Sequence, residues 1–207
     1  MRQSIVGRTL GTLALAVCSL AMGLNACAEE GTKGTAKRVT VSGISSGAYA
    51  AVQSHVALSS TISGVAAIAG GPYHCAEGSV MKALGGCISS DDLDVTPLIE
   101  AARAAASAGT IDPVSSLADD RIWLFHGKAD PVVAAAVTGA LASFYRDFVP
   151  EEAIDFVDDI PVTHGWPTLD QGVACGEMAG DYINACNYDA AGEMLQHLYG
   201  SLDSRVT

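Results

Sequence analysis

The chain has 207 residues, 49% of them hydrophobic and 16% charged, an ordinary composition for one globular domain of typical size. Its 23 acidic and 11 basic side chains give a formal net charge of −12. A surface this acidic repels phosphate backbones, which sets nucleic acid aside as a partner and leaves a neutral substrate open.

The N-terminus reads as an export signal. Arg2 and Arg8 form a basic start, residues 9–23 an apolar stretch short for a membrane span, and Ala26-Cys27-Ala28 offers small residues at both cleavage-defining positions. The expectation is a signal peptide over residues 1–28 and a single domain over 29–207, secreted or periplasmic. Removing the leader, which carries two arginines and no acid, takes the charge from −12 to −14. Leu24-Asn25-Ala26-Cys27 also has the form of a lipoprotein box, so acylation of Cys27 stands as the alternative, with a membrane tether. Cys75, Cys87, Cys175 and Cys186 remain, and in an exported chain they form two disulfides. Of the three connectivities that four cysteines allow, the local pairs Cys75–Cys87 and Cys175–Cys186 are favoured. Neither pair has the Cys-x-x-Cys spacing of zinc ligands, and no metal or other cofactor is expected.

From residue 38 onward, strands alternate with helices. A strand over Arg38–Val41 runs into Gly43-Ile44-Ser45-Ser46-Gly47 and then a helix over Gly47–Ser59. That pentad is the sequence form of a nucleophile elbow, where a strand reversing sharply into a helix presents its serine in a strained conformation. Small residues are expected at both flanks because a Cβ at Gly43 or Gly47 would meet backbone. A strand follows over Ile62–Ala69, then a Cys-bracketed, Gly/Ser-rich excursion over Tyr73–Asp94 with the composition of a functional loop. A helix over Thr96–Ala108 leads to a strand over Ile122–Phe125, which ends in His126-Gly127 and an aspartate, Asp130. On its own Asp130 reads as a turn or cap residue before Pro131. A helix over Val132–Phe148 and a strand over Ala153–Val157 lead to a loop carrying His164, and a helix over Ala190–Tyr199 closes the pattern.

The order Ser45, Asp130, His164 is that of α/β hydrolases rather than of chymotrypsin-like or subtilisin-like enzymes. His74 is the rival for the base. His126 is expected to shape the turn before Asp130, and His55 and His197 to be packed or solvated within helices. The fold class expected is α/β: an α/β-hydrolase-like three-layer sandwich with a mostly parallel sheet. Only about sixteen residues separate the expected cleavage point from Ser45, too few for the strands that usually precede a nucleophile elbow.

Five segments taken together carry a resemblance: Val41–Ala50, Ala69–Cys75, His126–Val133, His164–Thr168 and Leu198–Gly200. They resemble the polyhydroxybutyrate (PHB) depolymerase family of secreted single-domain esterases, over nearly all of the chain after its leader. The family's circular permutation accounts for the missing upstream strands. The resemblance implies hydrolysis of poly(3-hydroxybutyrate) or short hydroxyacyl esters by Ser45, His164 and Asp130, with the Ser46 N–H in the oxyanion hole. It offers Tyr73 and Trp166 as substrate contacts, with core packing as the alternative for both. The family's second oxyanion donor comes from a His-Gly-Cys segment, which this sequence lacks, so a permuted and C-terminally truncated chain is the expectation. A catalytically weak or silent binding protein on the same scaffold, or a general carboxylesterase or peptidase, are the other readings.

Overall fold

The computed structural model describes residues 38–178 and 180–202. The expected signal peptide and Cys27 lie outside them. In chain order the elements are β1 (Val39–Ile44), α1 (Ser46–Ala57), β2 (Ile62–Ile68), α2 (Val80–Leu84), α3 (Gly86–Ser89) and α4 (Thr96–Ser107). They continue with β3 (Arg121–Phe125), α5 (Ala135–Tyr145), β4 (Ile154–Val157), β5 (Trp166–Thr168), β6 (Val173–Ala174), β7 (Ile183–Ala185) and α6 (Ala190–Tyr199). Strands β1 to β4 form one parallel sheet in the order 1-2-3-4, so their carboxyl ends share one edge.

Alternation along the central strands divides the core into two layers. Val65 and Ala67 of β2 with Ile122 and Leu124 of β3 face α1, α4 and α5, meeting Val52, Ala102, Leu141 and Phe144. Ala66 and Ile68 with Trp123 and Phe125 face the other way, onto α6 through Ala190, Met194 and Leu198. Because both faces are covered, the strands read as continuous apolar runs. The result is the three-layer α/β-hydrolase arrangement.

Helix ends follow local chemistry. Asp189 caps α6 by accepting the Gly192 N–H at 3.1 Å, and Gly200 ends it at φ 87°. Pro97 sits in the first turn of α4, where its missing N–H costs nothing. A polar network lies deep beside the first layer: His55 of α1, fully buried, bonds the Tyr145 hydroxyl through Nδ1 at 2.9 Å and Asp120 through Nε2 at 3.1 Å.

The expected loop over Tyr73–Asp94 contains two short helices, α2 and α3, the first capped by Ser79. The helix expected from Val132 begins only at Ala135, because Val132 and Val133 give their N–H groups to Asp130 Oδ1. A second sheet, in the order β5-β7-β6, had no counterpart in the sequence reading. Both disulfides join the expected pairs, Cys75–Cys87 and Cys175–Cys186. Among the described residues no helix is long and apolar enough to cross a membrane.

Candidate active site

Ser45 stands at the junction of β1 and α1 with φ 54° and ψ −124°, a left-handed backbone that a side chain rarely adopts. Its N–H is anchored on the Ile68 carbonyl at 2.9 Å, and its own carbonyl accepts from Tyr49 N–H at 3.1 Å. Gly43 makes the reversal possible, since a Cβ there would lie 2.8 Å from the Ala48 nitrogen and closer still to the Gly47 carbonyl. The same expectation for Gly47 is corrected: a Cβ at Gly47 meets nothing within 4 Å, because it points outward from the first turn of α1. That exposed first turn leaves the Ser46 N–H outside the helical ladder, at the positive end of the helix dipole.

Asp130 follows β3 in a turn that it organises itself. Oδ1 accepts from the Val132 and Val133 N–H groups at 2.7 and 3.1 Å, and Oδ2 accepts from His164 Nδ1 at 2.8 Å. The Asp130 side chain is 1% exposed and the His164 side chain 6%. Burial pushes the Asp130 pKa up, but the bonds from His164, Val132 and Val133 and the nearby imidazole charge outweigh it and hold the carboxyl below its ordinary range. His126 secures the same turn from beneath, its Nε2 bonding the Val133 carbonyl at 2.9 Å, as its position suggested.

His164 must come back across the sheet, since β4 and β1 are three strand spacings apart, about 14 Å. Residues 158–163 make that crossing laced to the turn after β3, with Lys128 N–H on the Ile160 carbonyl and Ala129 N–H on the Val162 carbonyl. Gly127 allows the approach, for a Cβ there would lie 2.7 Å from the Thr163 oxygen and closer to that of Val162. The small second sheet then fixes the far end. Asn184 of β7, buried, gives its amide to the carbonyls of Ala174, Cys175 and Glu177, and its Oδ1 sits where Gly165 has no side chain.

Ser45, Ser46 and His164 line one cavity of about 410 Å³ together with Ile44, Val132, Met178 and Tyr182. The Tyr182 ring meets the imidazole edge-on, centroids 6.1 Å apart. Among the described residues no hydrogen bond joins the Ser45 hydroxyl to His164, whose Nδ1 is engaged by Asp130. A second cavity of about 300 Å³ shares Ser45, Ser46 and Val132 and is walled by Tyr49 and the disulfide-bracketed segment. His74 is exposed beside Gln53 and lines neither cavity. Tyr73 packs against the first core layer and Trp166 against the second, and neither lines either cavity. The aromatics that do are Tyr49, which lies within the Val41–Ala50 motif but has no role in its pentad, and Tyr182, which lies in none of the five segments.

A parallel sheet covered on both faces, with a serine in a strained turn and a carboxylate-bound imidazole at one cavity on its carboxyl edge, defines the α/β-hydrolase class. No family model matches the sequence. The chain is 44% identical over 170 residues to a poly(3-hydroxybutyrate) depolymerase of Delftia acidovorans, a match covering 81% of this chain and 34% of that protein. It is 32% identical over 173 residues to a polyhydroxybutyrate depolymerase of Talaromyces funiculosus, covering 82% and 50%. In structure, the PHB depolymerase from Penicillium funiculosum superposes with a TM-score of 0.74 at 31% identity, over 81% of this chain and 53% of the other. A PHB depolymerase with a serine-to-alanine substitution, complexed with an R3HB trimer, gives the same TM-score over 52% of its length. The resemblance read from the five motifs therefore holds: this chain is similar to PHB depolymerases along about four-fifths of its length. It spans between about a third and a half of the relatives it matches.

Proposed function

We propose that the chain is an exported serine esterase that cleaves poly(3-hydroxybutyrate) or short hydroxyacyl esters through an acyl-enzyme. The observation that carries this is the junction of Ser45 with the His164–Asp130 pair at one cavity. In this reading Asp130 holds the His164 Nδ1–H, leaving Nε2 as the base. Nε2 takes the Ser45 proton as Oγ attacks the ester carbonyl, and the Ser46 N–H, backed by the dipole of α1, receives the oxyanion. Collapse of the tetrahedral intermediate expels the alcohol, protonated by His164, and water repeats the sequence on the acyl-enzyme.

The polyester substrate rests on the relatives named for it, and export on the two disulfides and the N-terminal pattern. The test uses oxidised, full-length protein. A fluorophosphonate should label Ser45 stoichiometrically, Ser45→Ala should abolish labelling, and a poly(3-hydroxybutyrate) suspension should release hydroxyacids. Folded protein that neither labels nor cleaves a p-nitrophenyl ester refutes the esterase. Labelling with ester cleavage but no release from polymer would assign a general carboxylesterase instead.

A further inference from the structure

The two cavities that meet at Ser45 differ in one respect that gives the site a direction. His164 lines the larger one and is absent from the lining of the smaller. In acyl transfer the group that protonates the departing alkoxide must lie on the alcohol's side of the scissile bond. The alcohol half therefore occupies the cavity of His164, Met178 and Tyr182. The acyl half points away from the imidazole, into the cavity of about 300 Å³, a volume at the small end of ligand sites.

The wall of that second cavity is Ala83, Leu84, Cys87 and Ile88, all within or just after the Cys75–Cys87 bracket. This segment is held in place from three sides. The disulfide closes it, Ala134 N–H binds the Ile88 carbonyl at 2.8 Å, and the Tyr49 hydroxyl donates to the Cys87 carbonyl. Tyr49 lies one turn along α1 from the serine, and its ring fills the space that a side chain at Gly71 would need. A single side chain thus ties the nucleophile's helix to the wall facing it. Burial raises the Tyr49 pKa, so the phenol stays a donor throughout the assay range.

We propose that Tyr49 and the Cys75–Ile88 segment it holds form the acyl-selecting wall of the site, with Tyr49 as the positioning residue that sets its width. The proposal rests on the esterase reading above. In substrate terms the wall selects acyl groups by length, favouring short ones such as the four-carbon hydroxybutyryl unit, and makes that selectivity depend on the link between Tyr49 and Cys87.

The test is the kcat/KM profile over p-nitrophenyl esters from acetate to octanoate, with kcat and KM resolved separately. Tyr49→Phe keeps the ring and removes the link, and should move the octanoate-to-butyrate ratio upward by about tenfold, the scale on which a pocket reads chain length. Leu84→Ala should shift the profile the same way and Leu84→Trp the opposite way. Leu84 is 65% exposed, so these two variants keep the fold and decide the matter should Tyr49→Phe fail to fold. An active wild type whose profile is unchanged in the folded variants overturns the acyl wall and leaves the esterase standing. A folded wild type that cleaves none of the esters overturns both.

Discussion

Replacing Asp130 with asparagine probes the site at one atom. In the native turn Oδ1 receives two N–H groups, from Val132 and Val133, while Oδ2 receives His164 Nδ1. Asparagine keeps one oxygen, and the two backbone donors hold it. Its amide then faces His164 Nδ1, donor against donor. The ring relieves that conflict by moving its proton to Nε2, which turns an acceptor toward Asp130 and a hydrogen toward Ser45. The base is lost while the turn survives. In Ser-His-Asp enzymes this change costs roughly 10⁴ in kcat, about 5.4 kcal/mol of transition-state stabilisation. Stability should fall by much less, at most about 1.5–3 kcal/mol for one hydrogen bond to a charged group. For a chain of this size each kcal/mol lowers Tm by about 2–4 °C. The assay is kcat on p-nitrophenyl butyrate, normalised to fluorophosphonate-titrated sites in wild type, with circular dichroism melts beside it. A folded Asp130→Asn with kcat within tenfold of wild type would refute both the tautomer argument and the orienting role of Asp130.

Gly43→Ala should unfold or grossly destabilise the chain, because its Cβ meets backbone, whereas Gly47→Ala should be neutral or stabilising by up to about 1 kcal/mol through helix propensity. Thermal melts that rank the two the other way would sink the steric account of the elbow. His55→Ala should cost about 3–5 kcal/mol in urea unfolding, since it leaves the buried Asp120 carboxylate and Tyr145 hydroxyl facing an empty space; a loss below 1 kcal/mol would show the network to be dispensable. The lowered Asp130 pKa means its stabilisation is complete above the ordinary carboxylate value of about 3.9 and is lost as pH falls through the lower folded value. Urea midpoints followed from about pH 5 to about pH 2 should therefore drop more steeply in wild type than in Asp130→Asn, and parallel curves would contradict the assignment.

The sequence carried the central sheet well, because a buried parallel strand announces itself as an apolar run bounded by turn residues, as Ile62–Ile68 and Arg121–Phe125 do. Helix α6 was legible to both ends, since its amphipathic stripe is framed by Asp189 and Gly200. Ser45, Asp130 and His164 were singled out by the pentad, by loop position and by chain order, and the structure sets Ser45 and His164 at one cavity with Asp130 bonded to His164. Strands β5, β6 and β7 were not. At two or three residues each they show no periodicity, and their pairing is fixed by Asn184 and by contacts across a disulfide-closed loop. Gly47 was misjudged because the motif names a residue type, while the direction of the missing Cβ is decided by the helix. Met178 and Tyr182 come to one cavity from a single stretch far along the chain from Tyr49, which lines the other, and no local pattern marks any of the three as lining a cavity.

The crossing made by residues 158–163 has an architectural consequence. It is a cantilever clamped at both ends, on the turn after β3 and on Asn184, and its span is dictated by how far β4 stands from β1. One residue added or removed there would swing the imidazole by about 3.3 Å, a full step of extended chain and more than hydrogen-bond tolerance allows. Length variation in such a scaffold is thus confined to places such as the exposed tip at residues 169–171, and attempts to graft new loops onto this site should begin there.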